Sequence, residues 1–431
     1  MCQLKKYLCR RKTKLKVHHM KTEKTQPLIT PILRWFMLAM VLANIAGSMY
    51  PMLLPIYLTK LGASIGQVGI VFTISSIAIL VLQLIGGWIS DSIGRLRAIA
   101  IGSVGGILGF SAMVLAPSWQ WMLAALSVSQ IPYALVGPSF GAFIAENSQE
   151  ENRGRVYGIT DTIYQITGIF GPPLGGLLAG SFGFKPMLLT ATLIYSLAAG
   201  LRIWMARTMT PAEDTGADDL SWSSLKRSLR TMWGILVGGG VITWIFLTDG
   251  IRDTAFRLTG ELQPLYLEQI GGLSLEQIGV LGSVFSAAMM IIPFLSGQLS
   301  DKTEERVPIT LGFLLIFIAL IVFLQVQAFF GFAAVWVIFG MGVGLLSPAY
   351  QSLISKIIPK KNLGIFTGLL RSSIGLISLP APWIGAKIWE NFSPQLPFMI
   401  TASAALLTII PVWYKFRLPE KEEAPPLHTD A

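Results

Sequence analysis

The chain has 431 residues, of which 53% are hydrophobic and only 13% are charged, whereas soluble domains carry about 25% charged residues. This composition excludes a set of soluble domains and predicts an all-α integral membrane protein. The formal net charge is +10, but the basic residues lie in short segments between apolar runs, which indicates a lipid bilayer as partner and not a nucleic acid.

Histidine and cysteine, which build many catalytic and metal sites, are missing from the apolar body. Histidine occurs only in the tails, at His18, His19 and His428, and both cysteines, Cys2 and Cys9, lie near the N-terminus. The sequence also has no GxxxxGK[ST], HExxH or GxSxG motif. We therefore expect no enzyme activity, no metal, no cofactor, no nucleotide-driven pump and no disulfide framework.

Residues 1–31 are dense in Lys and Arg and are predicted to form a cytoplasmic tail. Two interpretations of the tail stay open, a disordered segment and a surface that touches anionic lipid, and the chain starts at either Met1 or Met20. Six apolar helices follow, each long enough to cross a hydrocarbon core of about 30 Å. Their predicted bounds are 32–58, 65–90, 96–116, 119–146, 154–181 and 184–206.

A polar stretch at 207–233 divides the chain. It is first acidic and then basic and amphipathic, so we predict a cytoplasmic linker whose second part lies on the membrane surface. Six more helices are predicted at 234–260, 274–299, 307–327, 331–356, 363–389 and 395–415. The expected domains are a six-helix bundle at 32–206, a second bundle at 234–415 and a polar cytoplasmic tail at 416–431.

Basic residues are shared unevenly between the two sides of the predicted bundle. If both ends are cytoplasmic, the cytoplasmic segments hold 27 of the 33 Lys and Arg residues and the opposite loops hold 3. Cytoplasmic loops of membrane proteins carry such an excess. We therefore predict a multi-pass protein of the cell membrane with both termini in the cytoplasm.

One pattern of residues recurs at an offset of 210 positions. The first-half members of the matching pairs are Gln67, Gly69, Gly87, Ser90, Asp91, Pro138, Asn152, Gly154, Gly158, Pro172 and Gly175. Ahead of the second helix the offset is 209, and it pairs Pro55 with Pro264. The repeat predicts two pseudo-symmetric halves, an arrangement typical of transporters whose central site opens alternately to the two sides.

The charged turn after the second helix carries a family resemblance. It contains Gly87, Asp91, Gly94, Arg95 and Arg97. These residues resemble the signature of the major facilitator superfamily. A shorter copy in the second half contains Asp301, Lys302 and Arg306. The resemblance implies twelve transmembrane helices in two six-helix bundles that work by alternating access.

A second resemblance lies in the fifth helix, in Gly158, Gly171, Pro172, Gly175 and Gly176. These residues resemble the antiporter motif of drug–proton exchangers, which implies export in exchange for protons. The alternative is a tight packing face with no bearing on the direction of transport. The fourth helix departs from that branch, because residues 126–130 contain no arginine.

Four charged residues fall inside the seventh helix: Asp249, Arg252, Asp253 and Arg257. Asp249 and Arg252 are three positions apart, and Asp253 and Arg257 are four apart, so each pair can meet on one helix face. Charges at this depth are costly and usually functional. We expect the group to bind a polar substrate or a proton; the alternative is a set of intrahelical ion pairs that only lets the charges insert.

Asp161 and Arg371 occupy equivalent positions of the repeat and carry opposite charges. We predict that Arg371 pairs with Asp91 and that Asp161 pairs with Lys302 or Arg306 when the cytoplasmic side closes. The alternative is substrate contact or local ion pairing. Relatives carry an acidic residue at the end of the fourth helix, so the resemblance implies that Glu146 pairs with Arg95.

Further polar residues available to a central cavity are Asn44, Gln130 and Gln165. The sequence as a whole predicts a monomeric secondary transporter that exports a small drug-like or amphipathic solute by proton antiport. An importer or uniporter of a small polar or anionic nutrient is the alternative, for which an arginine would bind charge. A non-transporting sensor or lipid-handling membrane protein is an alternative of another class.

Overall fold

A computed structural model describes residues 29–149, 152–208, 240–358 and 360–417. Within these ranges the side chains of residues 84–92, 138, 142, 301, 360–365 and 369 are not described. The predicted tails and most of the predicted linker lie outside the described residues.

The described part of the chain is built from α-helices and one short 3₁₀ turn at Pro51–Leu53. The helices of the first half are α1 Pro31–Ser48, α2 Leu54–Lys60, α3 Ile65–Ile93, α4 Arg95–Leu115, α5 Trp119–Ser129, α6 Ile131–Glu146, α7 Arg153–Phe182 and α8 Phe184–Thr208. Those of the second half are α9 Val241–Gly260, α10 Gln263–Gln269, α11 Leu275–Lys302, α12 Arg306–Phe323, α13 Phe329–Ile357, α14 Lys360–Ile377, α15 Ala381–Asn391 and α16 Leu396–Lys415.

Taken with their breaks, these helices fall into twelve consecutive segments, as the sequence predicts. Nine of the segments in the described part of the chain are long and apolar enough to cross a membrane. The other three carry charged residues within their length: α7 holds Asp161, α9 holds two ion pairs and α14 holds Arg371. Length and composition therefore agree with an integral membrane protein.

Proline explains where four of the segments break, at points where the sequence alone predicts unbroken helices or a helix end. Proline lacks an N–H donor, so it is favoured in the first turn of a new helix, although α7, α11, α13 and α16 also hold prolines in their interiors, as membrane helices can. Pro55 lies in the first turn of α2, Pro132 in that of α6, Pro264 in that of α10 and Pro382 in that of α15. The breaks fall at residues 49–53, 130, 261–262 and 378–380.

The repeat is present in the backbone as well as in the sequence. Ser64 and Gln67 form a capping box at the start of α3, and Ser274 and Gln277 form the same box at the start of α11. A side chain at Gly175 would overlap the carbonyl oxygen of Met49, and one at Gly385 would overlap that of Leu258. Equivalent helices therefore pack through equivalent close approaches in the two halves.

The two halves meet through α3 with α15 and through α7 with α11. A Cβ atom at Gly69 would lie 2.7 Å from the carbonyl oxygen of Pro382, and one at Gly279 would lie 2.5 Å from that of Pro172. These contacts are exchanged by the repeat, so the interface has a pseudo-two-fold axis. They lie toward the face opposite residues 29 and 417, where the described part of the chain begins and ends; we call this the closed face.

The described parts of the halves stand apart toward the face that carries residues 29 and 417. A Cβ atom at Gly158 on α7 or at Gly368 on α14 would have no described atom of another element within 4 Å. The described part of the molecule is therefore open toward this face, which we call the open face, and closed toward the other.

Candidate functional site

The charged group of α9 forms two intrahelical ion pairs, as its spacing predicts. Arg252 Nη2 lies 2.6 Å from Asp249 Oδ1, and Arg257 Nε lies 2.8 Å from Asp253 Oδ2. All four side chains are partly buried. Two cations and two anions enter the interior together, so the group adds no net charge, which lowers the cost of inserting it.

Neighbouring segments hold this charged group in place. The Ser378 hydroxyl, at the break between α14 and α15, donates a 2.6 Å hydrogen bond to Asp253 Oδ2. The guanidinium of Arg252 lies 5.4 Å from the ring centre of Tyr350, close enough for a cation–π contact. Tyr350 in turn donates a 2.9 Å hydrogen bond to Thr248 Oγ1 on α9. The eleventh and tenth segments therefore both contact the charges of the seventh.

Arg371 on α14 and Asp161 on α7 are both exposed. Arg371 interacts electrostatically with Asp249, and neither Arg371 nor Asp161 forms an ion pair with another described side chain. Arg306 lies 2.7 Å from Glu304 and 4.8 Å from the ring centre of Trp413, while Lys302 is exposed. Because the molecule is open on this side, the predicted contacts of Arg371 with Asp91 and of Asp161 with Lys302 or Arg306 stay predictions for the opposite conformation.

The first half contributes polar aromatic side chains. Tyr133 on α6 is 52% exposed and Tyr164 on α7 is 60% exposed, although both lie on interior segments of the bundle. Asn44, Gln130 and Gln165 are partly buried on α1, at the break after α5 and on α7. The first half therefore presents neutral polar and aromatic groups, and the second half presents the charged groups of α9.

Two ion pairs at the open face are related by the repeat, with their charges exchanged. Arg95 Nε lies 3.4 Å from Glu146 Oε1, joining the start of α4 to the end of α6. At the equivalent positions of the second half, Glu305 pairs with Lys356. Glu305 is buried and also accepts a 3.0 Å hydrogen bond from Ser352. Sequence reasoning missed Glu305, although the offset of 210 from Arg95 points to it.

The remaining residues of the charged turn make few contacts that the structure describes. Gly94 has a positive φ of 87° between α3 and α4, a conformation that favours glycine. Arg97 is exposed on α4. The side chains of Asp91 and Asp301, and the surroundings of Gly87, are not described. The predicted role of these three residues as a gate therefore stays a prediction.

The glycines of the fifth segment make tight contacts near the closed face. A Cβ atom at Gly171 would overlap the Ser48 hydroxyl on α1, and one at Gly176 would lie 2.6 Å from the Leu275 carbonyl oxygen on α11. Pro172 contacts α11 at Gly279 and Gly282. The motif therefore packs α7 against both α1 and the second half of the chain, while Gly158, nearer the open face, stands free.

Sequence reasoning also missed the polar contacts that join the halves at the closed face. Lys60 Nζ lies 3.5 Å from Glu268 Oε1. The Gly66 N–H donates a 2.6 Å hydrogen bond to Glu390 Oε1, and Lys387 Nζ lies 2.7 Å from Glu390 Oε2. Only the spatial meeting of α2 with α10 and of α3 with α15 brings Lys60 to Glu268 and Gly66 to Glu390, so no local sequence pattern signals these two contacts. Lys387 and Glu390 are three residues apart on α15, and their ion pair holds Glu390 in place.

The count of Lys and Arg residues made from the sequence assigns one arginine to the wrong part of the molecule. Arg202, counted among the cytoplasmic segments, lies within α8 and is only 7% exposed. Its guanidinium donates a 3.2 Å hydrogen bond to the Ser103 hydroxyl on α4. The count of basic residues beside the chain ends falls to 26 of the 33 in the chain, and the bias is preserved.

The comparisons with known proteins agree on one family. The sequence profile of the Major Facilitator Superfamily matches residues 36–324 and 246–431. The chain is 26% identical over 372 residues to the multi-drug resistance efflux pump PmrA homolog of Lactococcus lactis, which covers 84% of this chain and 89% of the relative. It is 24% identical over 392 residues to the multidrug resistance protein MdtG of Proteus mirabilis, covering 86% and 92%.

Solved structures show the same fold at low sequence identity. The nucleoside transporter NupG aligns with a TM-score of 0.74 at 11% identity, covering 90% of this chain and 100% of that one. The human organic anion transporter MFSD10 aligns with a TM-score of 0.61 at 16% identity, covering 88% and 98%. The profile match, the helical halves and the charged turn together lead to one conclusion: this chain belongs to the Major Facilitator Superfamily, as a non-enzymatic transporter of the kind that resembles multidrug efflux pumps.

Proposed function

We propose that the protein exports drug-like or amphipathic solutes across the cell membrane in exchange for protons. The observation that carries this proposal is the combination of exposed Tyr133 and Tyr164 in the first half with the self-neutralised ion pairs on α9 in the second. Such a surface offers aromatic faces to an apolar solute and no excess charge to select one sign. Similarity over 84% of the chain to a protein named a multi-drug resistance efflux pump, and over 86% to one named a multidrug resistance protein, supports the same function.

The proposed topology places both termini and the open face in the cytoplasm. The excess of Lys and Arg beside the chain ends supports this orientation. In this orientation the structure corresponds to the state that receives a solute from the cytoplasm. We propose that a monomer suffices, because both halves of the central space come from one chain.

The proposal is tested by flux in proteoliposomes with an acidic interior, with ethidium as the amphipathic probe. An antiporter moves ethidium inward as protons leave, and ethidium carries a permanent charge, so the pH gradient alone does not trap it. We expect accumulation that collapses when nigericin removes the gradient. Equal uptake with and without the gradient indicates a uniporter and contradicts antiport.

A second candidate function is favoured by Arg371, which is exposed and has no ion pair among the described side chains. A free guanidinium beside a central space suits the carboxylate of a small anionic nutrient. In the same vesicles, benzoate uptake without ethidium uptake would support this importer or uniporter. Binding of either probe without flux would instead indicate a sensor or lipid-handling protein.

A further inference from the structure

Glu261 is a charged residue of the interior that the sequence analysis does not assign. It follows the last residue of α9 at the break before α10, with φ −80° and ψ −13°, so it continues the helical path of α9. Its side chain is partly buried. No hydrogen bond or ion pair within 4 Å joins it to another described residue, although Arg257 acts on it electrostatically.

The spacing of three residues on α9 suggests what Glu261 does. Asp253 precedes Arg257 by four positions and Glu261 follows it by four, and residues four apart lie on one helix face. Arg257 therefore has a carboxylate about one turn away on either side, and in this conformation it bonds Asp253 at 2.8 Å. Because Arg257 pairs with Asp253, Glu261 has no cationic partner among the described side chains in this conformation.

The other charged groups on the elements that pack against α9 pair with, or lie near, residues other than Glu261. In the described part of the chain these are Lys387 with Glu390 on α15, Glu268 on α10 with Lys60, Lys356 on α13 with Glu305, Arg371 on α14 facing Asp249, and Lys415 on α16 over Trp244. Arg257 is thus the only described charge that acts on Glu261.

We propose that Asp253 and Glu261 are alternate partners of Arg257, and that the carboxylate which Arg257 leaves binds a proton. This rests on the proposed function, because it names the proton-binding groups of the antiport. A buried carboxylate without a cation is costly, and protonation removes the charge. In the conformation seen here the proton belongs to Glu261, at the end of α9 nearer the closed face. When the closed face opens and Arg257 turns to Glu261, Glu261 returns its proton to that side and Asp253 takes one up from the same side. When Arg257 turns back to Asp253, Asp253 releases its proton toward the open face and Glu261 is protonated again from the closed-face side, so each cycle carries one proton across.

The Ser378 hydroxyl connects this exchange to movement of the two halves. It donates to Asp253 at the break that leads into α15, and α15 packs against α3 of the first half at Gly69. Opening of the closed face must move α15 away from α3. That movement pulls on Ser378 and weakens one of the two bonds that Asp253 makes, which favours transfer of Arg257 to Glu261.

The first test measures protonation without any substrate. We would record pH-difference infrared spectra of the full protein in lipid vesicles and follow the carboxylic-acid C=O band near neutral pH. We expect this band in the wild type, its loss in Glu261→Gln and its retention in the control Glu304→Gln, at an exposed position on the open face. Asp253→Asn should also remove the Glu261 band, because Arg257 is then free to pair with Glu261 and keep it ionised. A band that survives Glu261→Gln overturns the proposal.

The second test measures coupling with ethidium. Glu261→Gln should reduce gradient-driven accumulation at least tenfold and leave downhill ethidium efflux within twofold of the wild type. Glu261→Asp, which keeps a carboxylate, should restore part of the accumulation. Unchanged accumulation in Glu261→Gln overturns the proposal, as does loss of downhill efflux in Glu261→Gln with an unaltered melting temperature. If the wild type accumulates no ethidium, the proposed export fails, and the infrared band still decides whether Glu261 binds a proton.

Discussion

Lys60 and Glu268 join the two halves across the closed face, with Nζ 3.5 Å from Oε1. They lie at the ends of α2 and α10, which are equivalent helices, so the ion pair spans the pseudo-two-fold axis. Nearby, Glu390 receives the Gly66 N–H from the other half. These polar contacts supplement the glycine-mediated packing and must separate before the closed face can open.

Loss of these contacts should favour the state that is open on the closed face. Half-exposed ion pairs contribute about 1 kcal/mol or less, so Glu268→Gln should raise the population of that state by up to about fivefold. Distances between spin labels at Leu61 and Gln269 would report the change. The control Glu304→Gln, on the other face, should leave the distribution as it is; an equal shift in both variants would contradict this role.

Glu305 is buried in its ion pair with Lys356, whereas Lys356 is exposed. Removing Lys356 alone should therefore destabilise the protein more than removing both charges. Lys356→Met leaves Glu305 buried without its cation, and an unsatisfied buried group costs about 1–3 kcal/mol or more when charged. The melting temperature of the purified protein should fall, and Glu305→Gln added to Lys356→Met should recover most of the loss. Lys302→Met, at an exposed position, serves as control. Equal melting temperatures in all these variants would show that the pair adds nothing.

Close approach of helices predicts which glycines tolerate a methyl group. Gly175→Ala and Gly385→Ala each place a Cβ against a backbone carbonyl, and overpacking costs about 1–3 kcal/mol. Both should lower the melting temperature and ethidium accumulation to a similar extent, because their surroundings are equivalent. Gly158→Ala, with open space around it, should match the wild type. A tolerated alanine at either packed site would refute the close approach there.

Charge reversal tests the contacts predicted for the conformation that is closed at the open face. Asp91→Arg and Arg371→Asp should each abolish ethidium accumulation, and the double variant should restore part of it because the opposite charges are kept. The same design applies to Asp161 with Lys302. If each double variant is no better than its single variants, the pairings are wrong.

Periodic and repeated features of this fold can be predicted from sequence, and contacts between distant segments cannot. Apolar runs locate twelve segments because membrane helices need a minimum apolar length. The pairing on α9 follows from helix periodicity, since Asp253 and Arg257 are only four residues apart. Glu390 meets Gly66 only through the arrangement of whole helices, and Glu261 was overlooked because the predicted helix ended at residue 260.

The exchanged charges at the open face have a consequence for assembly. A duplicated chain holds two sets of similar helices that can pair with the wrong copy while it folds. Arg95 meeting Lys356, or Glu146 meeting Glu305, would bring like charges together, whereas each correct pair attracts. The inverted signs thus act as a label that lets each half recognise its own helices during insertion and discourages hybrids between the two.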